Sequence, residues 1–294
     1  MSELIDCINN LSAKDIIKSV AKTANGVPFY LQTLGLGGFV AEFQAVYDSW
    51  TTKPSNAVAA AMNTMVSGWV DDGIWTKFKW LSVFAVHTNG AGEALVNWPF
   101  PGVNNPTLGI GLPVFTALEG FQNAASPNKY IDTNYNASTE ALSTTSCSMG
   151  LYSRTDSAGT FVDMGSRTAG PTQRTFLQTR DAGSNAYIRL CNGNSFDTIA
   201  VTNSLGMFSG SRTGNDLTVH QNLVHGVAAN VAPTSFHNGN IYIGALNEGG
   251  TAISMTNRQY SIGWIADYLS NAELDLVFSR FETYMDSNGK GKVV

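Results

Sequence analysis

Residues from about 81 to the C-terminus predict a mainly β sandwich, preceded by a small helical region and closed by a helix. Two observations carry this reading. From Pro113 onward, short runs rich in β-branched and aromatic residues are separated by Gly, Asn, Ser and Thr clusters roughly every 8–14 residues, the rhythm of stacked sheets. In Tyr187-Ile188-Arg189-Leu190 and Ile241-Tyr242-Ile243-Gly244 apolar and polar or small residues alternate, as in a strand buried on one face. Charged residues make up only 13% of the 294-residue chain, against a usual ~25%, so solubility rests on amides and hydroxyls.

The elements follow in order. Leu4, Ile8 and Leu11 fall at helical spacing in residues 1–38, and Ser12 with Asp15 makes a capping box for a second short helix. Helices this short are marginal alone, below ~12–15 residues, so the Leu4/Ile8/Leu11 stripe is expected to assemble on a partner or on copies of itself. Folding back on the chain's own sandwich is the other reading. Residues 39–80 predict a helical collar: one helix from Phe39 to about Trp50, then one after Pro54 with Val58, Met62, Met65 and Trp69 on its buried face. Five of the six tryptophans precede residue 99, which predicts a collar packed on the entrance to a sandwich over residues 81–294.

Expected strands are Val114–Phe121, Tyr130–Thr133, Cys147–Ser153, Thr160–Met164, Thr175–Thr179, Ala186–Cys191, Thr198–Thr202, Gly206–Ser211, Leu217–Val224, Asn240–Leu246 and Gln259–Ile265. A final helix begins at the capping box Ser270/Glu273. It buries Leu274, Val277, Phe278, Phe281 and Met285, and stops at Asn288-Gly289.

Two blocks of sequence carry a resemblance. Asn240 to Asn247, Gln259 to Trp264 and Ala266 to Glu273 resemble the last strands and Leu-Ser-x-x-Glu helix start of concanavalin-A-like or laminin-G-like domains. A longer set resembles the C-terminal regions of bacteriophage tail-fibre and other virion structural proteins, over about residues 39–294. It includes Glu42 to Asp48, Thr51 to Ser55, Thr116 to Phe121, Tyr152 to Asp156, Asn203 to Met207 and Tyr284 to Lys290. The resemblance implies a concanavalin-A-like jelly-roll sandwich in a phage virion protein: a fibre, appendage or capsid-decoration component, or a receptor-binding protein for a host-surface glycan. Other virion proteins are then the expected partners, with a homo-oligomer, a trimer favoured, made in the host cytoplasm.

The residues themselves restrict the chemistry. The formal net charge is −5 and no Lys or Arg lies between Trp80 and Lys129, so no nucleic-acid footprint is expected. No apolar run is long enough to span a bilayer, and Met1-Ser2-Glu3 opens no leader pattern. Cys7, Cys147 and Cys191 are expected as free thiols. His87, His220, His225 and His237 lack metal-ligand spacing, with His220 and His225 expected on opposite faces of an extended segment; no metal or other cofactor is expected, though calcium stays open. Glu273-Leu274-Asp275 is a near miss for a paired-carboxylate glycosidase motif, and Glu273 already caps a helix, so no enzyme is expected.

Asn134, Tyr135, Tyr152, Arg154 and Asp156 combine aromatic rings with amide and charged side chains, the composition of a glycan site; ordinary turn chemistry explains the same composition. Ser-Arg-Thr recurs at Arg154, Arg167 and Arg212, each just after an apolar strand. These three arginines are expected either to line one rim, for an acidic sugar or a neighbouring subunit, or to be solvated strand ends.

Overall fold

The computed structural model describes residues 38–123, 129–170 and 172–293. The Leu4/Ile8/Leu11 stripe, the Ser12/Asp15 box and Cys7 lie outside the described residues.

Numbered along the chain, helix α1 spans Ala41–Ser49 and α2 spans Asn56–Asp71. Ser55 caps α2 by accepting from the Val58 amide, which explains why the helix starts directly after Pro54. The closing helix α3, Asn271–Ser287, carries the complete Ser270/Glu273 capping box, and Gly289 follows at φ 67°. The helical expectations therefore hold within a residue or two.

The strands form two sheets among the described residues. The first runs β13 (Val224–His225), β12 (Asp216–Gln221), β11 (Gly206–Thr213), β6 (Ser146–Ser153), β18 (Gln259–Ala266), β4 (Gly120–Gln122) and β3 (Val114–Thr116). Strand β1 (Phe78–Val83) joins β18, and β14 (Ala229–Asn230) joins β12. The second runs β10 (Asp197–Ala200), β9 (Asn185–Asn192), β8 (Arg174–Gln178), β7 (Met164–Arg167), β15 (Tyr242–Ile243), β5 (Ile131–Asp132) and β2 (Thr107–Leu108). Strand β16 (Leu246–Glu248) lies parallel to β7 and antiparallel to β17 (Thr251–Ile253). Every other pairing is antiparallel, so the predicted β-sandwich is the observed architecture.

The layers explain the burial. The sheets meet face to face: a Cβ added at Gly210 of β11 would lie 2.1 Å from Ile188 of β9, so the two backbones are separated by little more than that side chain. The other face of the first sheet is covered by helices. Tyr152 of β6 packs on Phe281 of α3 at 5.3 Å, and Trp264 of β18 meets Phe78, which in turn meets Trp69 of α2 at 5.6 Å. Strands β6, β11 and β18 are consequently buried along nearly their whole length, whereas β8 and β9 alternate buried and half-exposed residues.

Several local expectations change. The expected collar boundary at residue 80 falls inside β1, whose Leu81 lies opposite Trp264; the helices and the sandwich share one hydrophobic core. Val114–Phe121 is not one strand but the hairpin β3–β4, with Leu118 at φ 60° and Gly120 at φ 100° in the turn. A Cβ at Gly120 would sit 2.0 Å from the Tyr260 carbonyl oxygen, so only glycine fits there. Gly244, at φ 80°, divides Asn240–Leu246 into β15 and β16.

The expected strand Thr160–Met164 is displaced to Met164–Arg167 because Asp163 turns inward instead. Its carboxylate receives Arg258 Nη1 at 2.8 and 2.9 Å, Tyr260 Oη at 2.5 Å and the Thr179 amide at 2.7 Å. Arg258 and Asp163 are both fully buried, and their pair bridges the two sheets through Tyr260 of β18. Burial disfavours the charge on Arg258, but Asp163, Tyr260 and Asp156 together outweigh it and raise the guanidinium pKa; burial likewise pushes the Tyr260 phenol far up.

Candidate functional site

The residues expected to bind a glycan do not converge. Asn134 (φ 54°) and Tyr135 follow β5 of the second sheet, and Tyr152 lies in β6 of the first. Asn134 spends its side chain on the Asn105 carbonyl at 2.7 Å, which is turn chemistry. Tyr135 and Tyr152 are buried, so neither ring offers a face to a sugar. Arg154 is also buried, donating to the Lys290 carbonyl beside Glu119. Asp156 accepts from Arg180 and the Ser204 amide, both at 3.0 Å. These five side chains hold the fold together.

The three Ser-Arg-Thr arginines do not share a rim either. Arg212 is fully buried in β11 and donates to the Leu190, Gly214 and Val231 carbonyls. Arg167 is in β7 of the other sheet, 3.1 Å from Glu248. His220 and His225, expected on opposite faces, are direct partners across β12–β13, because Asn222 at φ 53° turns the chain back. Their Nδ1 atoms are 2.9 Å apart, with Ser211 Oγ 3.3 Å from His220 Nε2 and Asp275 of α3 3.1 Å from His225 Nε2. Burial, and then His225, push His220 down to about 4. Cys147 and Cys191 are free and buried.

An open face does exist, on the outward side of β7–β10. Alternation in β8 sends Thr175 and Leu177 inward and Arg174, Phe176 and Gln178 outward; in β9 it sends Ala186 and Ile188 inward and Tyr187 and Arg189 outward. Register then decides the neighbours: Phe176 pairs with Arg189, Gln178 with Tyr187, and Arg174 with Arg167. Gly165 of β7 gives Phe176 its room, since a Cβ there would lie 2.3 Å from the Phe176 Cβ. The 193–196 turn between β9 and β10 adds Phe196, 41% exposed, whose ring meets Tyr187 edge to face at 5.1 Å.

Arg189 lies between two of these rings, 5.3 Å from the Phe176 centroid and 5.1 Å from that of Phe196. Its Nη1 donates to the Gly193 carbonyl at 2.8 Å. Desolvation, followed by repulsion from Arg174 and Arg167, lowers its pKa to about 10. Phe176, Gln178, Tyr187, Arg189 and Phe196, with Thr160 and Asp181, line a depression of about 230 Å³. Such a surface offers apolar ring faces for stacking together with fixed hydrogen-bond donors. Sequence reading noticed the alternation in Tyr187–Leu190 but not the site, which depends on strands 10–20 residues apart being neighbours.

Two other depressions lack this chemistry. That of about 460 Å³ near Trp50 contains Glu93, whose carboxylate oxygens already accept from the Thr52 and Ala91 amides. That of about 290 Å³ between α2 and α3 includes Arg280, bonded to Asp72. Among the described residues, no group of three or more His, Cys, Asp or Glu side chains is placed to hold a metal ion, and no helix is long and apolar enough to cross a membrane.

No protein-family model and no curated protein matches the sequence. Among solved structures, the chain is similar to the binding domain of botulinum neurotoxin serotype D, with 13% identity and a TM-score of 0.47 over 70% of this chain and 52% of that one. It is similar to the Ruminococcus gnavus IT-sialidase CBM40 bound to α2,3-sialyllactose, at 15% identity and a TM-score of 0.42, covering 60% of this chain and all of that one. The NanB sialidase of Streptococcus pneumoniae is matched at 10% identity and a TM-score of 0.41, over 58% of this chain and 27% of that one. The chain thus spans about half the length of the neurotoxin fragment and about a quarter of the NanB chain. The sandwich assignment rests on the two sheets themselves.

Proposed function

We propose that this protein is a non-catalytic, lectin-like binding module that holds a glycan on the outward face of β7–β10. The observation that carries the reading is the pairing of exposed Phe196 and half-buried Tyr187 with Arg189 on a sheet face left open among the described residues. Sugar rings present apolar C–H faces and hydroxyl rims, and this surface has a partner for each. The absence of catalysis is supported by the carboxylates of the near-miss motif. Glu273 is engaged by the α3 cap and by Lys77, and Asp275 by His225.

The test is binding of the full chain to an array of bacterial and host glycans, alongside Phe196→Ala. Retention of a glycan by the wild type and its loss from the variant supports the reading. A glycan held equally by both places the site elsewhere.

The finer reading, a bacteriophage virion appendage or decoration protein displaying this module, is supported by the sequence resemblance over about residues 39–294. Labelling of particles with an antibody to the sandwich tests it, and particles without the protein would end it.

A further inference from the structure

We propose that the open face takes a carboxylate-bearing sugar, with its acid group held between Arg174 and Arg189. This inference rests on the glycan reading above and names the class of sugar.

Three guanidinium side chains gather on the face, because Arg167 and Arg174 are register partners and Arg189 feels both charges. One acid answers them: Glu248, beside Arg167 in the parallel pair β16–β7. Among the described residues neither Arg174 nor Arg189 has a carboxylate partner, and Arg174 Nε is buried with no hydrogen-bond acceptor. Asp181, at the opposite end of the face, is committed to the Asn185 amide and to Tyr187. Arg174 and Arg189 are therefore cations without an ion-pair partner among the described residues, and with Asp181 counted the face keeps a net positive charge in a chain whose formal net charge is −5.

That contrast selects the ligand. A dense polyanion such as nucleic acid or heavily sulfated glycan is repelled by the rest of the surface and finds no extended basic track. An isolated carboxylate on a sugar ring meets a local site instead. Guanidinium groups bind carboxylates through paired N–H···O bonds, and the ring that bears the acid is left facing Phe196 and Tyr187.

The experiment titrates the full chain with oligogalacturonate, hyaluronan and polysialic-acid hexamers, each beside its carboxyl-reduced form, together with a sulfated dextran hexamer. Wild-type protein is expected to prefer at least one carboxylated oligomer over its reduced form by about tenfold or more, as charge-assisted hydrogen bonds warrant. Arg174→Gln should abolish that preference. Glu248→Gln, which leaves Arg167 uncompensated, should tighten binding severalfold; thermal unfolding of each variant confirms that it folds. Equal affinity for acidic and reduced forms, no effect of Arg174→Gln, or equal binding of sulfated dextran overturns the proposal. Binding of reduced oligomers alone, lost in Phe196→Ala, ends the acid inference and leaves the glycan reading standing. Binding of no oligomer by the wild type, here or on the array, ends both.

Discussion

The two sheets are built from similar residues and live in different environments. Strands β6, β11 and β18 are buried on both faces, between the helices on one side and the second sheet on the other. Strands β8 and β9 bury one face only. The buried strands accordingly carry small residues where layers approach: Ser148 and Gly150 in β6 and Ser209-Gly210-Ser211 in β11. The half-open strands carry Arg, Phe, Gln and Tyr at alternate positions. Burial on two faces makes the centre of the first sheet a scaffold, and burial on one leaves β8 and β9 of the second with an outward surface. Binding chemistry can accumulate on β8 and β9 but not on β6, β11 or β18, because an outward side chain on the half-open strands costs the core nothing.

Mutation can break this comparison where the contrast is greatest. Trp264 is fully buried between Phe78 and the backbone of Gly150. Trp264→Ala should destabilise the fold by about 3–5 kcal/mol, read from urea midpoints. A loss under about 1 kcal/mol would mean that the helical layer does not depend on the sheet beneath it.

A smaller effect comes from pH. His220 is buried beside His225, and its folded pKa of about 4 lies below the ordinary ~6.5. Its contribution to stability is therefore complete above pH ~6.5 and is lost as pH falls toward 4, amounting to about 3 kcal/mol. His220→Gln should flatten the stability profile between pH 6.5 and 4. An unchanged slope would show that carboxylates alone set it.

The smallest effect belongs to the open face. Phe196→Ala should change stability by under about 1 kcal/mol, since the ring is 41% exposed and lies outside the shared core. A cost comparable with that of Trp264→Ala would make the face structural and remove the distinction between the sheets.

What the sequence disclosed follows the same division. Helix α3 was legible to the residue because its cap, apolar face and stop are all local signals. Strands β6, β9 and β18 were legible from their flanking turns. Strand β1 was split, with Phe78-Lys79-Trp80 read as the end of the collar and Leu81 onward as sandwich, because the segment is buried on both faces and shows no period of two. The His220–His225 pair was misjudged for want of one turn residue, Asn222, in the left-handed region. The five residues chosen for a glycan site share the composition of binding loops, but both of their rings, Tyr135 and Tyr152, are in the core. The observed face was hidden for another reason: Arg174, Arg189 and Phe196 acquire meaning from register and strand order, which are properties of the pairing and not of any single strand.

The Asp163–Arg258–Tyr260 bridge has a consequence for how the chain reaches this state. Its ionic partners are 95 residues apart, so the contact closes only after a long loop has been ordered. A sandwich docked one residue out of register would strand a carboxylate and a guanidinium separately in the interior, at about 3–5 kcal/mol for the broken pair. Apolar side chains tolerate such slips, since one aliphatic residue substitutes readily for another. The bridge does not, so a misregistered docking carries a penalty that the native one avoids.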